Sequence, residues 1–476
     1  MSSIGSILSS ARGAMQAAQL QMQTTSQNIA NAGVEGYTVQ KVQLAASYPQ
    51  HFTYGNVGTG VQVTGVTQSR DRLLDGQYRM ANGNSSSANA TSDTLGRIEQ
   101  VMGEPSSTGL SNSLDVFFNA WSDLASDPTS TAARGVVVQR GQQVASMLNG
   151  FASQLDQISS DTRDTLTSDL GKINELAKQI ADMSPSIVAS ESGGQTANDL
   201  RDSRNRLLDQ MSGLADVQVI DRHDGSVGVY LGGRVLVDGT AYHQLAASGG
   251  TSVKITFAGE ASSLGNLGGT IGANVTSLNT TIPGVMTELD TLAGNVVRQV
   301  NQVHTTGAVY AAGSNTPTAA GNFFNQSSTV VGSADPYQTA RGIQVSGALS
   351  DLTQVAASAF AGAGPGNNVV ANQLAGLRDA QLSLTASNGT TVTGSLGSFY
   401  RYTVSNVALA TSRANNQSTV QGTLATQADT RRQSVSGVAT DEELVNLIKQ
   451  QQAYSAAARL ISVVDEMSKT LVSLGQ

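Results

Sequence analysis
SGVATDEELVNLIKQQQAYSAAARLISVVDEMSKTLVSLGQ, residues 436–476, carries a helix start followed by a long apolar seam. Thr440 followed three residues later by Glu443 is a capping-box pattern, and Asp441 and Glu442 complement the positive end of a helix beginning there. Beyond that start, Ala453, Ala457, Leu460, Val464, Met467, Leu471 and Leu474 recur at alternating steps of four and three. Such a narrow apolar seam calls for a partner helix. The other end supplies one: in SSIGSILSSARGAMQAAQLQMQTTSQNIANAGVEGYTVQ, residues 2–40, Ile4, Leu8, Ala11, Met15, Ala18, Met22 and Ile29 keep the same heptad, broken only by Thr25. The two ends are expected to pair. Ile4 to Ile29 would span roughly 40 Å, and a pair so rich in Ala, Ser and Gln buries little apolar area, so alone it is expected to fray. Gln16, Gln19, Gln21, Gln23, Thr24 and Ser26 on the remaining faces are polar but uncharged, which suits burial against many similar helices. An ordinary antiparallel hairpin closing a monomer is the alternative.

The same two stretches carry a resemblance. NIANAGVEGYTVQ (residues 28–40) and EELVNLIKQQQAYSAAARLISVVDEM (residues 442–467) resemble the terminal motifs of the bacterial flagellar axial proteins of rod, hook and hook-associated type. LGRIEQVMGEPSSTGLSNSLDVFFNAWSDLASDP (residues 95–128) and NDLRDSRNRLLDQMSGLADV (residues 198–217) resemble interior segments of the hook–filament junction class within them, which rod and hook proteins lack. The resemblance covers roughly the first 240 residues and the last 80. It implies a structural adaptor that polymerises by bundling its terminal helices in an inner tube. Its partners would be further copies of itself, the hook protein and the next hook-associated junction protein. It also implies an extracellular place in the flagellum, reached through the type III export channel without a cleaved signal peptide. The expected assembly residues are Ile4, Leu8, Met15, Met22, Ile29, Leu447, Leu460, Val464, Met467 and Leu471. Asn28, Asn31, Gly36 and Tyr37 form the signature expected to turn the chain out of the inner layer. An export chaperone on the C-terminal helix is expected too, because its apolar seam would otherwise be open to aggregation.

Composition agrees with an assembly protein. A chain of 476 residues with 39% hydrophobic content can build two to four domains, although aromatic residues are only 4%. Charged residues are 13%, and Ser, Thr, Asn, Gln, Ala and 50 glycines supply much of the rest. A net charge of -8 without a Lys/Arg run excludes a phosphate-binding face and hence nucleic acid. There is no cysteine, so no disulfide frame and no thiolate metal site. No run of 18 apolar residues and no basic-then-apolar leader is present, so neither membrane insertion nor a cleaved signal peptide is expected.

In chain order, TVQKVQLAASY and GNVGTGVQVTGV read as a short hairpin; GTGVQVTG lacks the Gly-Lys-Ser/Thr ending of a phosphate loop. Helical patterning returns at about Arg70 and runs to Met102, with an interruption expected at Asn82 to Ser87. From Ser113, Leu114, Phe117, Phe118, Trp121 and Leu124 share one face and predict a core. A helix over Thr131 to Ser160 buries Val137, Val144, Leu148, Phe151, Leu155 and Ile158, and KINELAKQIADM continues helical up to Pro185. NDLRDSRNRLLDQMSGL, with its alternating acids and bases, reads as a solvated helix with internal ion pairs. At about Ala215 the period switches to two, with hairpin turns at Asp224-Gly225 and Gly232-Gly233. Helix is expected again from Ile271 to His304, loops and strands from Thr305 to Pro365, and a long helix from Gly397 to Ser434 carrying Val404, Val407, Ala414 and Leu424.

The fold class is therefore α+β and multidomain, in three parts. Residues 1–35 and 438–476 form a terminal helical coiled-coil domain. Residues 36–214, 270–304 and 366–437 form a mainly helical middle domain, and 215–269 with 305–365 an inserted outer antiparallel β domain. Catalytic machinery is not evident. His51, His223, His243 and His304 lie far apart without HExxH or an i,i+4 pair and read as isolated surface or turn histidines, so no metal and no cofactor is expected. Asp441-Glu442-Glu443 and Asp465-Glu466 sit on helices with nothing to raise a pKa in a cleft. Asn-x-Ser/Thr triplets at Asn274 and Asn388 are expected by chance in so Ser/Thr-rich a chain. The competing reading from another class is a secreted display or adhesin module whose β domain does the binding; an enzyme acting on peptidoglycan or protein stands last.

Overall fold
The computed structural model describes residues 2–474 except 53–54, 105, 251, 266, 312–313, 315, 327–339 and 360–362. Ten α-helices lie within the described residues: α1 Ser2–Asn31, α2 Arg72–Met102, α3 Leu110–Ser126, α4 Thr131–Glu191, α5 Asn198–Leu214, α6 Gly269–Thr276, α7 Ile282–His304, α8 Val369–Gly376, α9 Leu396–Ser436 and α10 Thr440–Leu474. Small antiparallel sheets fill the intervals, as an α+β layout requires.

α4 is the spine. Its 61 residues extend about 90 Å. The helix does not stop near Ser160 or at Pro185, because Leu155, Ile158, Thr162, Leu166, Leu170, Ile173, Ala177 and Ile180 keep one buried stripe running. Pro185 removes one backbone bond, yet Ile187 beyond it is fully buried and holds the last turn in place. α3 packs on the early part of this spine and brings Phe117 and Trp121 against Phe323, with the Trp121 and Phe323 rings 5.4 Å apart and Phe117 also on Phe324.

The strands occupy two separate stretches of α4. Strands 217–221, 227–231, 234–238 and 241–242 form one meander, closed by positive-φ turns at Gly225 and at Gly232–Gly233. Beside it, 245–248 pairs with 254–257, and Asn174 of α4 brackets Leu245 by donating to its carbonyl at 2.9 Å and accepting its N–H at 2.8 Å. The second set, 307–310 with 317–319 and 358–359, and 324–326 with 343–345, sits nearer the start of the spine, where Asn149 donates to the Ile343 carbonyl at 2.8 Å. The two segments expected to form one outer β domain thus build independent sheets, each on its own part of α4. Residues 327–339, within the second segment, lie outside the described residues.

α6 and α7 are joined by a π-helical turn, Ser277–Thr281. Pro283 lacks the N–H that a continuous α-helix would use there, and the wider turn absorbs the gap.

α2 and α9 pack side by side, and α5 lies against α2. The interruption expected at Asn82 to Ser87 is absent, because small polar residues here serve close approach. A Cβ on Gly83 would stand 2.8 Å from the Ser212 carbonyl oxygen, and Asn82 donates to Asp209 O at 3.2 Å and Ser212 Oγ at 3.0 Å.

The chain ends meet as α1 against α10. The hairpin of strands 40–46 and 61–68 lies along α1, so close that a Cβ on Gly13 would be 2.8 Å from the Val61 carbonyl oxygen.

Candidate assembly site at the root of the terminal helices
An asparagine side chain has two N–H donors and one oxygen with two lone pairs, and Asn28, 1% exposed, spends all four. Its Nδ2 donates to the Gln40 carbonyl at 3.0 Å and to Glu443 Oε2 at 2.8 Å. Its Oδ1 accepts from the Tyr37 hydroxyl at 2.8 Å and the Gln40 N–H at 3.1 Å. Gly36, at φ +77°, lets the chain reverse after α1 so that Tyr37 and Gln40 come back to Asn28. Burial lifts the Tyr37 phenol to about 12; a bond with Asn31 pulls it down, while Asp199, Asp202 and Glu443 push it further up. Asn31, Gly36 and Tyr37 line a small cavity of about 190 Å³ with Asp199, Asp202 and Arg206.

The capping box expected at Thr440 is replaced by this arrangement. Glu443, which was to reach back over its own first turn, reaches across to Asn28 instead, because a buried carboxylate gains more from a donor it can share with no water.

α5 is the hub beneath. Thr38 gives its N–H to Asp202 Oδ2 at 3.0 Å and its hydroxyl to Asp202 Oδ1 at 2.8 Å, and Gln40 Nε2 reaches Asp199 at 2.8 Å. Asn198 donates to the Val66 carbonyl in the hairpin at 3.0 Å. Arg70 spans Asp75 at 2.6 Å and Asp202 at 3.4 Å. Further along, Arg79 of α2 and Arg432 of α9 both bind Asp209, while Arg201 pairs with Glu191 at 2.6 Å. Arg204, 2% exposed, donates to the Gly225 carbonyl at 2.6 Å, and burial lowers its pKa to about 10. Burial likewise raises the Asp202 pKa, against the pull of Thr38 and Arg70. The solvated helix with internal ion pairs is therefore corrected: the α5 charges are largely shielded, and their partners lie on other elements. Asp199, Asp202 and Asp209 recur at steps of three and seven, one face of a helix, a spacing that marks them as directed at something.

α10 has two apolar faces. Glu443, Leu447, Gln450, Tyr454, Ala457, Ile461, Val464 and Ser468 are buried or half-buried and follow one another in four-three steps, with half-buried Asn446 and Ala458 beside them. α1 buries Ala11, Ala17, Ala18, Thr24, Thr25 and Asn28 between α10 and the hairpin. Of the expected assembly residues, Asn28 and Val464 are buried, and Ile4, Met15, Met22, Ile29, Asn31, Tyr37 and Leu447 are half-buried. Leu8, Gly36, Leu460 and Met467 are exposed, and the Leu471 side chain lies outside the described residues, as does that of Leu474. Leu460 and Met467, expected in the intrachain seam, point away from α1. With Val445, Ile448 and Val463 they form an open apolar strip, each residue between 49% and 55% exposed.

His304 departs from the surface position expected of it. It is fully buried beside Trp121, its Nδ1 on the Gly321 carbonyl at 2.7 Å and its Nε2 accepting the Ala356 N–H at 3.0 Å. That pairing fixes the neutral tautomer, and burial holds its pKa down at about 4. Among the described residues no group of three or more acidic or histidine side chains is placed to hold a metal, and no helix is long and apolar enough to cross a membrane.

Three family models match the sequence: the flagellar hook-associated protein FlgK helical domain over residues 95–324, the flagellar basal body rod FlgEFG protein C-terminal over 431–474, and the flagella basal body rod protein over 8–38. Flagellar hook-associated protein 1 of Bacillus subtilis is 28% identical over 514 residues, covering 98% of this chain and 97% of that one. Its counterpart in Salmonella typhimurium is 26% identical, covering 99% and 100%, and that of Escherichia coli K12 is 24% identical with the same coverage. The solved flagellar hook junction protein FlgK from Burkholderia pseudomallei superposes with a TM-score of 0.64 at 18% identity, over 76% of this chain and 100% of that one, a likeness of fold.

Proposed function
The chain belongs to the family of flagellar hook-associated protein 1, and on that premise we propose that it is a structural subunit of the bacterial flagellum that polymerises between hook and filament. The observation that carries the mode of polymerisation is the second apolar face of α10. α1 covers one face of that helix, and Val445, Ile448, Leu460, Val463 and Met467 leave the other open. In a water-surrounded monomer such a strip is a liability, and in a bundle of like helices it is the contact. Exposed Ile7 and Leu8 on α1 extend the apolar surface available to neighbours.

Residues 1–35 with 438–476 act as the assembly unit in this reading, with 36–214, 270–304 and 366–437 as the body and 215–269 with 305–365 outside it. Leu8, Leu460 and Met467 contact neighbouring copies, whereas Met15, Met22, Ile29, Leu447 and Val464 hold the pair that presents them. The Asn28, Asn31, Gly36 and Tyr37 turn fixes how the pair leaves the body. The further partners are the hook protein and the next junction protein. The subunit works outside the cell, is exported without a cleaved signal peptide, and acts by packing rather than catalysis. Before export, a chaperone covers the open face of α10.

Replacing Leu460 and Met467 together by Asp tests this. Secretion into the medium with loss of swimming, and with the helix content of the purified chain unchanged, is the expected result. Normal swimming with the doubly charged face would refute it.

A further inference from the structure
We infer that the Asn28–Glu443 hydrogen bond sets the register in which α1 and α10 pair, and that Glu443 is therefore a positioning residue for the terminal unit. The inference concerns pairing within one chain and holds whichever structures the copies join.

The apolar packing of this pair is a poor ruler. The buried positions of α1 other than Asn28 are Ala and Thr, too small to hold one register, and the four-three spacing of α10 keeps the same face against them after a shift of one heptad, although the side chains exchanged differ in size. Sliding α10 outward is barred, because the connection 437–439 has no spare length for the roughly 10 Å that seven helical residues add. Sliding the other way, with residues 440–446 unwound into linker, brings Gln450 opposite Asn28. Gln450 Oε1 is buried without a hydrogen-bond partner, so it is an acceptor ready to compete for Asn28 Nδ2. Glu443 wins because it is charged: a carboxylate accepts the amide hydrogen bond more strongly than a neutral amide carbonyl does. Asn28 in turn is bound on both sides to Gln40, which ties the chosen register to the hairpin and the body. A single buried polar residue that fixes helix register at some cost in stability is a known use of buried polarity.

The chain has no cysteine, so engineered pairs report cleanly on the soluble full-length monomer. Equal steps in opposite directions from Asn28 and Glu443 bring Ala14 opposite Ala457 in the native register and opposite Val464 in the shifted one. With Glu443 in place, Ala14→Cys with Ala457→Cys is expected to form its disulfide at least about tenfold faster than Ala14→Cys with Val464→Cys. Glu443→Leu should reduce that preference to within a few-fold, and Glu443→Gln, which leaves two neutral amides to compete for Asn28, should reduce it as well. Glu443→Gln combined with Gln450→Glu moves the carboxylate one heptad and should shift the preference towards the Val464 pair. Equal oxidation of the two pairs with Glu443 present would overturn the inference, as would an undiminished preference in Glu443→Leu. Because the readout is intramolecular, a failure to polymerise leaves it unchanged, so the two proposals fail separately.

Discussion

Asp209 of α5 and Arg432 of α9 are joined at 2.5 Å although 223 residues separate them in sequence. Arg79 of α2 takes the other carboxylate oxygen at 2.7 Å, and the Arg432 guanidinium lies 3.8 Å from the centre of the Tyr78 ring. Three helices are thus clamped through one carboxylate just below the root of the terminal pair. Asp209→Ala should cost about 3 kcal/mol in urea unfolding, because Arg79 loses its only carboxylate among the described residues and Arg432 is left with Asp429 alone there. Asp209→Leu combined with Arg432→Met and Arg79→Met should recover part of that loss, since burying no charge avoids the desolvation penalty.

His304 predicts an acid-sensitive core. Its pKa in the folded chain lies at about 4, below the ordinary value of 6.5, so the stability it contributes is complete above about pH 6.5 and is lost as pH falls towards 4. Over that window the loss should approach about 3 kcal/mol. Unfolding midpoints at pH 7.5 and 4.5 measure it, and His304→Gln should be less stable at pH 7.5 yet show a smaller drop on acidification.

Gly83 predicts an exception to helix propensity. In a free helix, Gly to Ala gains about 1 kcal/mol. Here the new methyl would press on the Ser212 carbonyl, so Gly83→Ala should destabilise by roughly 1–3 kcal/mol. A raised unfolding midpoint would show that α2 and α5 can separate without cost.

Tyr37 predicts an alkaline limit on the root. Its pKa is raised to about 12, so the stability that depends on its neutral hydroxyl is present below the ordinary value of 10 and is lost as pH rises through 12. Tyr37→Phe removes the bond to Asn28, costs about 1 kcal/mol at neutral pH, and should weaken the fall in melting temperature between pH 9 and 11.

Much of the fold could be read from the residues. The period change at Ala215, the turns at Gly225 and Gly232–Gly233, and the Phe117–Trp121 core follow from local patterns that the structure keeps. The pairing of the two ends was legible because both carry heptads. Which side of α10 is covered was not, since Ala457 and Val464 belong to the expected seam and the observed one alike, and apolar residues flank them on both sides. The role of α5 was hidden for a different reason. Asp202 and Asp209 find their partners at Thr38, Arg70, Arg79 and Arg432, more than a hundred residues away, and a charge pattern along one helix names no distant partner. His304 was misplaced because a histidine with both nitrogens paired is as buriable as an aromatic ring, a state fixed by Gly321 and Ala356 rather than by its neighbours in sequence.

The open face of α10 is the surface we propose other copies cover on assembly. Amide hydrogen exchange over residues 440–470, compared between the soluble monomer and the same chain in isolated hook–filament junctions, tests it most directly. Exchange should be fast in the monomer and at least about a hundredfold slower over 445–467 in the junction, with little change over the α4 core. Equal exchange over 445–467 in the two states would contradict it, because the exposed strip would then be no contact at all.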